Sequence, residues 1–101
     1  MAFVRAAKVA DIPTGTIHEL QVDGKAVALA NVEGKFYAIN NTCLHRGGPL
    51  GQGELAGRIV TCPWHGWQYD VTTGKVAQNS NMGVNSYAVE VRGDEVFVDA
   101  G

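Results

Sequence analysis

A chain of 101 residues, 46% of them hydrophobic, has the size of one domain with a modest core, and it leaves no room for a second catalytic domain. Its 8 Lys and Arg nearly balance 10 Asp and Glu, so no strong field favours nucleic acid or an anionic membrane, and protein partners are expected. Residues 1–8 are too short and too charged for a signal peptide, and no run nears the ~20 apolar residues of a membrane span.

No window sustains the i, i+3, i+4 apolar pattern of an amphipathic helix, and the periodicity predicts an all-β chain. A first strand is expected over 3–9, ended by Asp11-Ile12-Pro13-Thr14-Gly15, and a second over 17–22. Asp23-Gly24 is a strong hairpin signal before a strand at 26–32, and Glu33-Gly34-Lys35 turns the chain into another at 36–40, which makes a meander. Short strands follow at 58–61 and 67–70, with a turn at Val71-Thr72-Thr73-Gly74, and 79–85 reads as loop. A last hairpin over 86–91 and 95–99 turns at Arg92-Gly93-Asp94; alternation puts Tyr87, Val89 and Val91 on one face, closing the base against the meander.

Two clusters stand apart from this pattern: Cys43-Leu44-His45-Arg46-Gly47-Gly48 and Cys62-Pro63-Trp64-His65-Gly66-Trp67. They hold both cysteines of the chain and two of its three histidines, as Cys-x-His, sixteen residues, Cys-x-x-His. Two thiolates and two neutral imidazoles suit a tetrahedral zinc, or a [2Fe–2S] cluster with Cys₂ on one iron and His₂ on the other. Gly47, Gly48, Gly51, Gly53 and Gly66, with Pro63 stiffening the second arm, suit loops whose backbone N–H groups turn inward on anionic sulfides. A lone zinc has no sulfides to satisfy. His18 lies far from both arms in sequence, with no nearby ligand partner, and no metal role is expected of it.

The two arms, with the later Tyr69-Asp70 and Gly74, closely resemble Rieske iron–sulfur proteins, and the resemblance covers nearly the whole chain. It implies a single Rieske domain over 1–101, in which antiparallel sheets form a base and a small cluster-binding subdomain, about 41–78, is inserted. It also implies one Rieske-type [2Fe–2S] cluster bound by Cys43, His45, Cys62 and His65. Neutral imidazoles make their iron easier to reduce than thiolates do, so the histidine end is the expected electron exit. The sequence has no dinucleotide fingerprint and no second His/carboxylate set for a mononuclear iron, so an electron-transfer protein is expected, not an enzyme.

What the resemblance implies in function is a soluble one-electron ferredoxin, passing electrons from a flavin reductase to an oxygenase. The lack of an apolar span separates it from the membrane-anchored Rieske subunits, and cysteines claimed by metal leave no disulfide, which fits the cytoplasm. A second possibility is a fixed, non-catalytic subunit, since the chain also resembles the small subunit of assimilatory nitrite reductases. The third, a zinc-stapled interaction domain, predicts a colourless protein.

Around the ligands, Trp67 reads as a core aromatic and Trp64 as a shield against water, while Pro49 and Leu50 shape the first loop. Arg46 is either a docking charge or one more solvated one. By the same resemblance, Tyr69 donates its hydroxyl toward a cysteine sulfur. High-potential relatives have a disulfide between the loops and a serine hydroxyl on a sulfide; Gly48, Trp64 and Trp67 stand there instead, which implies a low potential. Many relatives also cover the cluster with a proline-rich loop, whereas residues 78–82 contain no proline.

Overall fold

The computed structural model describes residues 3–44, 47–64 and 66–100. In chain order the strands are Val4–Lys8 (β1), Ile17–Val22 (β2), Lys25–Val32 (β3), Lys35–Asn40 (β4), Glu54–Ala56 (β5), Ile59–Thr61 (β6), Gln68–Asp70 (β7), Lys75–Val76 (β8), Asn79–Gly83 (β9), Ser86–Arg92 (β10) and Glu95–Asp99 (β11). Short 3₁₀ turns at Val9–Asp11 and Leu50–Gln52 are the helical segments among the described residues, and none is long and apolar enough to cross a membrane. The strands form two antiparallel sheets, a six-stranded base in the order β1-β11-β10-β4-β3-β2 and a five-stranded meander from β5 to β9.

The base begins as the expected meander because both of its hairpins have two-residue turns with positive φ, the geometry whose twist matches that of the flanking strands. Asp23 and Gly24 have φ of 51° and 80°, and Glu33 and Gly34 have 52° and 91°. Glu33 pays a steric penalty there that glycine avoids. The buried Asn31 braces this turn, accepting the Gly34 N–H at 2.9 Å and donating to the Ile12 carbonyl at 2.7 Å. The terminal hairpin joins the meander through β10 on β4, with Ser86 opposite Ile39 and Tyr87 opposite Ala38.

Strand β3 is buried on both faces, and its side chains sort by size. Val27 and Leu29 point into the core of the base, with Val22, Ala38, Val96 and Val98. Ala28 and Ala30 point the other way, into a second core shared with Ile39, Leu50, Val60 and Tyr69. Small side chains on that face let the second sheet pack close to the base. Complete burial of each Val or Leu contributes about 1.5–3 kcal/mol, so β3 anchors both layers.

The sequence expectations differ from the structure in the second sheet. Residues 79–83 form β9, not a loop, and β5 and β8 are strands without a sequence signal. Three residues at Glu54–Ala56 and two at Lys75–Val76 are too short to display alternation, and Asn79–Gly83 is polar and largely exposed. The first strand ends at Lys8, where Val9–Asp11 winds into a 3₁₀ turn. Tyr87 and Val89 pack on the base core as expected, whereas Val91 is exposed near the hairpin tip.

Candidate metal centre

Both cysteine arms are loops closed at their necks by backbone hydrogen bonds. The first leaves β4 and returns at the 3₁₀ turn, where the Leu50 N–H donates to the Asn41 carbonyl at 2.7 Å and Thr42 pairs with Pro49. Within it the Cys43 N–H donates to the Gly48 carbonyl and the Gly47 N–H to the Cys43 carbonyl, each at 2.9 Å. The second arm is the connection of the β6–β7 hairpin, closed by the Cys62 N–H on the Trp67 carbonyl at 2.7 Å. His45, Arg46 and His65 lie outside the described residues.

The two arms bring Cys43 and Cys62 together. Both thiols are free and each residue is 1% exposed. Burial pushes the Cys62 thiol above its ordinary pKa, a backbone hydrogen bond from Trp64 opposes this, and the adjoining Cys43 thiol adds to the rise. Tyr69, fully buried on β7, sets its hydroxyl 3.1 Å from Cys43 Sγ, and that oxygen accepts the Leu44 N–H at 3.0 Å. As a metal ligand Cys43 would be a thiolate with no proton to give, so the Tyr69 hydroxyl would be the donor in this contact. Burial first, and this contact second, hold the phenol well above its usual range.

These donors fit an iron–sulfur ligand set. Paired buried thiols, Cys62 bonded by the Trp64 backbone and Cys43 3.1 Å from the Tyr69 hydroxyl, sit where donors can stabilise anionic sulfur, and protein hydrogen bonds to sulfur tune such a centre. Gly48 fits as well: a Cβ on it would lie 2.7 Å from Cys62 Sγ and 3.1 Å from Trp64 Cβ, so only glycine lets the first arm lie on the second sulfur. Gly51 and Gly53, expected to face the cluster, serve other contacts, since a side chain at 51 would collide with Glu19 on β2 and one at 53 with the Thr61 carbonyl.

Of the two tryptophans, Trp67 takes the core position expected of it. Trp67 is half-buried against the second core, and Trp64 packs its Cβ near Gly48 while remaining 49% exposed. Leu44 is 50% exposed, so each arm presents one exposed apolar side chain close to its cysteine. His18 is exposed on β2 and lines a separate cavity with Gly53, Glu54 and Leu55, to which neither cysteine contributes.

Sequence reasoning missed the support of the first arm. Buried Asn41 accepts the Gly51 N–H through Oδ1 at 2.7 Å and donates through Nδ2 to Glu19 Oε2 at 2.9 Å. Glu19 Oε1 in turn accepts from Gln52 Nε2 at 2.7 Å. Asn41 stands two residues before Cys43 and was legible only as the start of a loop; Glu19 and Gln52 meet it through tertiary structure alone.

Residues 2–88 match the family description of the Rieske [2Fe-2S] domain. The chain belongs to this family. It is 35% identical over 102 aligned positions to the ferredoxin component of the naphthalene 1,2-dioxygenase system of Pseudomonas aeruginosa, covering 96% of this chain and 94% of that one. Among solved structures, the ferredoxin of carbazole 1,9a-dioxygenase from Nocardioides aromaticivorans superposes with a TM-score of 0.89 at 31% identity, over 97% of both chains. A ferredoxin in a complex of reduced oxygenase and oxidized ferredoxin in carbazole 1,9a-dioxygenase gives 0.86 at 32% identity, over 95% of this chain and 91% of that one. Its antiparallel all-β fold, one Rieske-type [2Fe–2S] cluster and electron-transfer role are those of a ferredoxin component and not of a catalytic subunit.

Proposed function

We propose that this chain carries single electrons to the terminal oxygenase of a dioxygenase system, taking them from a flavin reductase, within the cytoplasm. The observation that carries this is the likeness over nearly the full length of both chains to ferredoxin components of such systems, one of them in complex with its oxygenase. The same likeness favours a carrier over a fixed nitrite reductase subunit. Free cysteines in the two arms, whose thiols meet each other, Trp64 and Tyr69 among the described residues, fit thiols reserved for iron in a reducing compartment. The flavin reductase comes from family resemblance.

The cluster supplies a one-electron couple when bound. Cys43 and Cys62 would hold one iron, and His45 and His65, outside the described residues, would hold the other. We assign the whole chain, 1–101, to one Rieske domain, with the cluster-binding part at about 41–78. Tyr69 and the Trp64 N–H stabilise sulfur charge, β3 and Leu50 fix the arms on the base, and Leu44 and Trp64 give a partner apolar surface beside the exit.

Anaerobic mixing tests this. Chemically reduced protein is mixed with the oxidised terminal oxygenase of an aromatic-ring dioxygenase, and the return of the oxidised ferredoxin absorption is followed. Saturable, salt-sensitive transfer is expected. Transfer no faster than to an unrelated haem protein, or isolation of the native chain only in a fixed stoichiometric complex, would contradict the carrier role.

A further inference from the structure

Asn31 and Asn41 are the buried polar side chains among the described residues, and each of them hydrogen-bonds a backbone group that closes a turn or loop. Asn41 does this at the neck of the first ligand arm. Its backbone N–H donates to the Ala26 carbonyl at 3.1 Å, its carbonyl accepts the Leu50 N–H and its side-chain oxygen the Gly51 N–H, both at 2.7 Å. Both ends of the loop that carries Cys43 and Leu44 are thus gathered on one residue. Glu19 locks that residue from β2, accepting Asn41 Nδ2 with one carboxylate oxygen and Gln52 Nε2 with the other. Gly51 lies so close to the Glu19 backbone that a Cβ there would stand 2.5 Å from the Glu19 nitrogen. The arm cannot slide along β2 without breaking these contacts.

On its opposite side the same arm touches the second sheet through Tyr69. The Leu44 N–H is 3.0 Å from the Tyr69 oxygen, and Cys43 Sγ is 3.1 Å from it. The base holds the arm at Asn41 and the second sheet meets it at Leu44 and Cys43, so the register of that meeting depends on the hold. Given the proposed ligation by Cys43, on which this rests, we infer that Glu19 and Asn41 are positioning residues for the cluster: they set its potential by keeping Cys43 and Leu44 in register with the Tyr69 hydroxyl. A slackened neck lengthens the O–H to sulfur bond. A weaker donor stabilises the more negative reduced state less, and the potential falls.

A double-mutant cycle on the cluster-loaded full chain separates this from general loosening. Glu19→Ala is the informative variant, because Glu19 is exposed and its loss leaves the core intact; Asn41→Ala, which orphans the buried Gly51 N–H, is the stronger companion. Midpoint potentials and EPR spectra are measured for Glu19→Ala, Tyr69→Phe and both together. Glu19→Ala is expected to lower the midpoint and alter the EPR line shape in the wild-type background, and to have less than half that effect on top of Tyr69→Phe. Additive shifts, or a Glu19→Ala midpoint and spectrum identical to wild type, would overturn the positioning role. Wild-type protein lacking iron and acid-labile sulfide would instead overturn the cluster ligation beneath it.

Discussion

A Cβ on Gly48 would stand 2.7 Å from Cys62 Sγ, so the backbone of one arm lies directly on the sulfur of the other. Gly48→Ala forces either the first arm or the sulfur away, and overpacking of this kind costs about 1–3 kcal/mol. Iron content per chain is expected to drop well below wild type after identical purification. Full loading with an unchanged visible spectrum would show that the arms have slack.

Bound to iron, Cys43 would carry no proton, which makes the Tyr69 hydroxyl the donor in its 3.1 Å contact with the sulfur. If its net worth to the reduced state is ~1 kcal/mol, Tyr69→Phe lowers the midpoint by about 40 mV, at ~59 mV per tenfold change for one electron. Voltammetry on the purified variant checks this. An unchanged or raised midpoint contradicts the donor assignment.

Cys43→Ser, Cys62→Ser, His45→Ala and His65→Ala are each expected to abolish the Rieske visible and EPR signatures, because each removes one of the four proposed ligands. His18→Ala, on an exposed face of β2 beside a different cavity, is expected to leave iron and sulfide content unchanged. A normal signature from any of the four ligand variants contradicts the assignment of that residue.

The cysteine arms were legible because soft ligands are scarce in this chain and both are concentrated in two motifs. The hairpin turns at Asp23-Gly24 and Glu33-Gly34 were legible because φ above zero restricts residue choice. Strands β5, β8 and β9 were not, since they are short or polar and owe their pairing to neighbours. The clasp of Glu19, Asn41 and Gln52 was invisible for a related reason: an acid on a strand and two amides near turns carry no pattern until folding joins them. Gly51 and Gly53 look like cluster-loop glycines in sequence, yet their backbones approach β2 and Thr61.

Acid should loosen that clasp. Hydrogen bonds from Gln52, then Asn41, hold the Glu19 carboxyl below its ordinary value of 4.5. A carboxyl whose pKa is lowered by folding adds stability above its unfolded value, and that stability is lost as pH falls through the folded one. Denaturant midpoints are therefore expected to fall more between about pH 6 and about pH 3 for wild type than for Glu19→Gln. Equal losses in the two proteins would remove Glu19 from the acid response.

The central claim, a low-potential Rieske cluster that carries one electron, is tested most directly by an anaerobic potentiometric titration followed by EPR, on protein assayed for metal and sulfide. The expected result is two irons and two sulfides per chain, one electron per cluster, and a midpoint in the lower half of the class range of about −150 to +300 mV. Zinc without sulfide, or a midpoint in the upper half of that range, would contradict it.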